Sequence, residues 1–183
     1  FTVGGGALAT GSWRWRVRTL DDGDEQSVDS VIHYIVVNNI PTPPTAPFAP
    51  SGAVHITTNL PTYSWTLGTD AEDPQSALVT VIQVDDNSDF SSPEYDSGWI
   101  DASNATTPAL ANGTYYWRAR ARDSAPTRNV TGWSGSRQFR VDGTAPATAV
   151  VTDDGRYTTD GTQLHAAWSS ADDETGIVEY QYA

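Results

Sequence analysis

The chain has 183 residues with no cysteine, methionine or lysine, and its ten basic residues, all arginine, face 23 Asp plus Glu for a net charge of −13. That composition excludes disulfides and thiolate metal sites, and the negative balance argues against nucleic acid or an anionic membrane as partner. No apolar run approaches the roughly 20 residues of a membrane span, and no signal peptide is present. The acidity suits a secreted, calcium-rich or saline setting; arginine without lysine is equally what a GC-rich genome produces. The missing initiator, and an opening inside what reads as a strand region, mark the sequence as a piece of a longer processed polypeptide.

In chain order, Gly4-Gly5-Gly6 reads as a loop, because a phosphate cradle needs a strand before it and a helix after it. A turn at 7–11, a strand over 13–19, an acidic hairpin over 21–25 and a strand over 30–37 follow. Residues 40–50, Ile-Pro-Thr-Pro-Pro-Thr-Ala-Pro-Phe-Ala-Pro, form a Pro/Thr-rich linker that proline stiffens. Strands are then expected over 54–57, 62–67, 78–85, 94–99, 106–108, 115–122 and 136–141, and after a shorter boundary at 142–146 over 147–152, 163–168 and 178–182. No long amphipathic helix is visible.

The stretch Ala109 to Asp123 states most of this pattern by itself. Asn112-Gly113 is a tight turn, and from Tyr115 the period is two: Tyr115, Trp117, Ala119 and Ala121 on one face, Tyr116, Arg118, Arg120 and Arg122 on the other. This is a half-buried strand of an antiparallel sandwich, with guanidinium groups outside. It also repeats. Gly11 to Thr19 aligns with Gly113 to Ala121, so that 102 residues separate Trp15 from Trp117, and 103 separate Trp65 from Trp168. The period matches one sandwich of roughly 100 residues. Residues 1–39 are thus the closing part of one module, 45–142 a complete module, and 143–183 the opening part of a third.

Leu110, Gly113, Tyr115, Trp117, Ala119 and Ala121, followed by Gly132-Trp133-Ser134-Gly135, resemble the closing half of a fibronectin type III module, a tyrosine-corner strand followed by a Trp-Ser element. Trp65 and Trp168 match the tryptophan of its second strand. The resemblance implies an all-β tandem of fibronectin type III-like antiparallel β-sandwiches, one complete and two partial, of the bacterial or archaeal extracellular or surface kind. It further implies a ladder in which Trp133 stacks on Arg118, Arg120 and Arg122, at about 0.5–1 kcal/mol per exposed contact. The first module lacks a Trp-Ser element, so Arg14, Arg16 and Arg18 need another partner, for which Tyr34 is available. In such proteins these modules are spacers, adhesin stalks or accessory domains beside carbohydrate-active enzymes.

Catalysis is not expected. His33, His55 and His165 lie far apart in sequence, and no nucleophile-elbow, zincin or phosphate-loop motif occurs. No organic cofactor is implied. Calcium is the one ion to weigh: Asp70, Glu72 and Asp73 follow the second strand of the middle module, and Asp172, Asp173 and Glu174 recur at the same place in the third. Asp21, Asp22, Asp24 and Glu25 cluster similarly. Each set reads either as a solvated turn or as part of a calcium site. Sequons at Asn104, Asn112 and Asn129 are candidate glycosylation sites or simply turn-forming asparagines, and Thr42 and Thr45 are candidates for O-linked sugar. Tyr95, Trp99 and Tyr116 form either a sugar-stacking platform or, for Trp99, part of the core. The expected function is a structural spacer or adhesive array of an extracellular surface or filament protein, with polysaccharide binding beside a secreted enzyme as the alternative. Partners are adjoining modules or neighbouring copies, the strands of residues 163–182 in one chain completing those of residues 1–39 in the next.

Overall fold

The computed structural model describes residues 6–124, 128–153, 155–157, 159, 161–163, 165–172 and 175–181. The described residues form twelve strands: β1 (Gly11–Trp15), β2 (His33–Val37), β3 (Thr45–Ala49), β4 (Val54–Ile56), β5 (Thr62–Thr66), β6 (Val79–Asp85), β7 (Tyr95–Asp96), β8 (Asn104–Thr106), β9 (Gly113–Arg122), β10 (Arg137–Val141), β11 (Val150–Asp153) and β12 (Ala166–Ser169), with one 3₁₀ turn at Gln75–Ala77. The all-β expectation holds. Among the described residues no helix is long and apolar enough to cross a membrane.

Strands β3 to β10 make a two-sheet sandwich. One sheet has the order β3-β5-β8 and the other β4-β10-β9-β6-β7. All pairings are antiparallel except β4 on β10. Strand β9 is the centre of the larger sheet because it is long enough to pair β10 through its first half and β6 along its second. Its alternation is the one expected: Tyr115, Trp117, Ala119 and Ala121 are buried and the intervening residues half-buried. Tyr63 and Trp65 of β5 enter the same core from the other sheet, joined by Ile82, Val84, Leu110, Phe139 and Val141. Trp117 meets Phe48 and Tyr63 edge-on, at centroid distances of 5.6 and 5.2 Å. Its indole nitrogen donates to the Pro50 carbonyl at 2.7 Å. Tyr115 donates back to the Ala111 carbonyl at 3.1 Å, a tyrosine corner.

The elements that differ from expectation do so for local reasons. Thr45–Ala49, inside the proline stretch, is a strand; it lies at the edge of its sheet, where Pro47 withholds no needed donor. The strand expected over 94–99 shortens to Tyr95–Asp96 because Gly98, at φ +60°, turns the chain, and the Ser97 hydroxyl takes the Ile82 amide. The strand expected over 106–108 falls at Asn104–Thr106, ending before Pro108. The strand expected from 178 does not form in the described residues; Tyr180 instead packs its ring on Trp168 at 6.3 Å and accepts from the Ser170 amide.

The hairpin β1–β2 repeats β9–β10 residue for residue. Trp13 pairs Ile35 and Trp15 pairs His33, as Tyr115 pairs Phe139 and Trp117 pairs Arg137. Trp13 even copies the corner, its indole donating to the Ala9 carbonyl at 2.7 Å. Strands β11 and β12 pair antiparallel, as β3 and β5 do. Where the middle sandwich buries Trp117 and Trp65, the equivalents Trp15 and Trp168 are about half exposed, at 53% and 48%.

Candidate functional site

The outer face of β9 carries an interleaved stack of rings and guanidinium groups. Arg118 lies between Phe90 and Trp133, at 4.0 and 4.3 Å from the ring centroids. Arg120 lies on Trp133 at 4.3 Å and reaches Trp99 at 5.6 Å, and Arg122 covers Trp99 at 4.4 Å. Two of the three arginines assigned to Trp133 by sequence are therefore there; Arg122 is on Trp99, because the register carries it past the end of the Trp133 ring. Phe90 and Trp99, both from the region around β7, were not legible as members. Trp99 neither enters the core nor presents a free face beside Tyr95 and Tyr116, and Tyr95 packs against the core. Desolvation under the rings, and then Arg120, lower the Arg118 pKa, and desolvation followed by Arg128 does the same at Arg122.

Two hydroxyl groups hold Trp133 over the strand. Ser134 and Thr131 each donate their amide to the carbonyl, and accept with their hydroxyl from the amide, of Ala119 and Ala121 respectively. The first module contains the same device. Ser30 and Ser27 make the identical pairs with Val17 and Thr19. The spacing Thr131-x-x-Ser134 thus equals Ser27-x-x-Ser30, and Asp29 occupies the place of Trp133. The arginines of the first module use Asp29: Arg16 and Arg18 both pair with it, and Arg18 also bonds Gln26. The expectation that no such element precedes β2 is corrected, and Tyr34 stands instead across the register from Arg14. Hydrogen bonding to Arg18 holds the Asp29 carboxyl below its ordinary range and raises Arg18. A depressed carboxyl stabilises the fold above its unfolded pKa, near 3.8, and loses that contribution as pH falls through the lower folded value. Acid and salt should therefore loosen residues 16–30 before residues 118–134, as amide exchange measured at pH 3 and pH 7 would show; equal protection changes in both segments would refute this.

The acidic residues singled out by sequence sit where modules meet. Asp70 Oδ1 accepts from the amides of Glu72 and Asp73 at 2.8 and 3.1 Å. The chain leaving β2 docks on this loop and on the end of β9. Asn38 Nδ2 donates to Asp123 Oδ2 at 2.7 Å, the Asn39 amide to Glu72 Oε2 at 3.4 Å, and Asn129 Nδ2 to the Asn39 carbonyl at 2.9 Å. Asp142, which follows β10 as Asn38 follows β2, accepts from Thr175 Oγ1 at 2.6 Å, and Asp172 Oδ1 accepts from the amides of Thr175 and Gly176. Asp173 and Glu174 lie outside the described residues. Asp21 Oδ1 closes its hairpin by accepting from the amides of Gly23 and Glu25.

Of the sequon asparagines, Asn104 has an exposed side chain, whereas Asn112 bonds Thr144 at 2.7 Å and Asn129 holds the incoming linker. The Thr42 hydroxyl bonds Thr69, and Thr45 is exposed on β3. His33 stacks on Trp15 at 4.6 Å, and His55 lies on β4 in a different sheet. Among the described residues one set of three carboxylates, Asp85, Asp86 and Glu94, brings its oxygens within 4.8 Å of one another. Asp85 there receives the Asn87 and Ser92 amides, and Glu94 the Asp86 amide, so the set closes the β6–β7 turn.

No protein-family model matches the chain, and no curated protein matches it in sequence. Among solved structures it is similar to a Streptomyces avermitilis alpha-L-rhamnosidase complexed with L-rhamnose (18% identity, TM-score 0.38), over 57% of this chain and 10% of that one. It is also similar to the chicken CNTN1 FN1–FN3 domains (11% identity, TM-score 0.37), over 87% of this chain and 63% of that one. The chain thus spans less than two thirds of either.

Proposed function

We propose that this chain is a non-catalytic segment of a tandem module array, an extracellular spacer or adhesive stalk whose work is to fix the distance and angle between its neighbours. The observation that carries this reading is the repeated junction: in both places the residue after a hairpin, Asn38 or Asp142, bonds the loop beside the next sandwich. A linker held at several points cannot swivel as a flexible tether does. The apolar faces around Trp15 and Trp168 call for cover by an adjoining module or a neighbouring copy, of the kind Trp117 and Trp65 give each other. Polysaccharide binding draws no support from Trp99, whose ring is taken by Arg120 and Arg122.

Small-angle scattering tests the reading. The 183-residue chain should scatter as one extended conformer, and the double variant Asn38→Ala, Asn129→Ala should broaden its distance distribution. A profile as broad for the native chain as for the variant would remove the spacer reading.

A further inference from the structure

We propose that the first junction is a calcium site, with Asn38, Asp70, Glu72, Asp73 and Asp123 as ligands. Five oxygens are each buried and without a hydrogen-bond partner: Asn38 Oδ1, Asp70 Oδ2, Glu72 Oε1, Asp73 Oδ2 and Asp123 Oδ1. Asp123 is the telling member, because the residue is only 1% exposed at the end of β9. A buried carboxylate oxygen left without a donor is costly, and such groups are ordinarily paired or bound to a metal.

The five come from three separate elements that converge. Asn38 belongs to the chain leaving β2, Asp123 to the end of β9, and the other three to the loop between β5 and β6. Asn38 lines one cavity together with Glu72 and Asp73. Its amide nitrogen fixes Asp123 through Oδ2, which leaves the Asn38 Oδ1 and Asp123 Oδ1 atoms over. Asp70 is held likewise through Oδ1 by two backbone amides, leaving Oδ2 over. Sequence had marked the loop alone; Asn38 and Asp123 come from across the junction, and it is they that distinguish a site from a solvated acidic turn.

The donor set selects the ion. Four carboxylates and one carboxamide are hard oxygen ligands with no nitrogen or sulfur, and a set drawn from flexible loops suits the variable geometry of calcium better than the strict octahedron of magnesium. The junction carboxylates stand further apart than those of the Asp85 set. Oxygens around calcium lie about 2.3–2.6 Å from it, so the ion draws linker, loop and strand end together. Calcium therefore stiffens the junction as well as occupying it.

Titration calorimetry of the 183-residue chain with calcium chloride, after exhaustive chelation, tests this. Binding is expected in the roughly 0.1–1 mM range of extracellular modules, and it should raise the melting temperature and narrow the scattering distance distribution. Asp123→Asn and Glu72→Gln should each weaken it by at least about tenfold, while Asp86→Asn, in the β6–β7 turn, should leave it unchanged. Glu72→Gln lies on a half-exposed loop and serves if Asp123→Asn does not fold. Absence of binding heat and of a melting shift at several-fold higher calcium, or binding that survives both junction substitutions, would overturn the site. The spacer reading does not depend on it, since the junction hydrogen bonds are made by the protein alone.

Discussion

Trp117→Ala should unfold the middle sandwich at temperatures where the native chain is intact. Trp117 is fully buried, touches aromatic rings from both sheets, and supplies the one indole donor to the Pro50 carbonyl. Truncating a buried tryptophan costs about 3–5 kcal/mol, and here it also strands a buried carbonyl acceptor. The melting temperature of that module should fall by at least about 12 °C. Arg120→Ala, one pleat away on the outer face, removes contacts with Trp133 and Trp99. At about 0.5–1 kcal/mol each, the loss is a small fraction of the first. Urea melts of the two variants decide the matter: equal midpoints would mean that the faces of β9 have been assigned the wrong way round.

That assignment was legible because a period of two is a purely local signal, and β9 obeys it for ten residues. The Trp-Ser element was legible for the same reason. Its counterpart in the first module was not, since the recognisable tryptophan is replaced by Asp29 and only the hydroxyl spacing, Ser27-x-x-Ser30, survives. What the backbone requires there is two side-chain oxygens; what covers the arginines can be a ring or a carboxylate. Phe90 and Trp99 escaped because they reach the stack from the connections flanking β7, and no spacing rule ties them to β9. The acidic loop at Asp70 was visible as composition, but its meaning depends on Asn38 and Asp123, which are distant in sequence and meet it only through the fold. The proline stretch was read as a spacer because proline weakens strands in general; an edge position removes that objection, and Thr45–Ala49 pairs with β5.

Gly68→Ala should release the linker from the middle sandwich without disturbing its core. A Cβ at Gly68 would stand 1.9 Å from the Thr42 carbonyl oxygen and 2.9 Å from its carbon. Both are backbone atoms, so no side-chain rotation relieves the clash, and the strap itself must move. Thr42 is held there by its amide on the Thr69 carbonyl at 2.8 Å and by its hydroxyl accepting from the Thr69 amide at 2.7 Å. At about 0.5–1.5 kcal/mol per bond, losing both, together with the displaced chain, costs on the order of 2 kcal/mol. The effect should concentrate at the junction: faster proteolysis within residues 40–44, a broader scattering profile, and weaker calcium binding, because Asn38 is carried on the same strap. Gly143→Ala is the matched control, its nearest neighbour being the Asn59 amide nitrogen at an ordinary 3.6 Å. If Gly68→Ala and Gly143→Ala show the same cleavage rate and scattering as the native chain, the linker is not clamped at Thr42. The angle between the first hairpin and the middle sandwich would then have to be set by Asn38 and Asn129 alone.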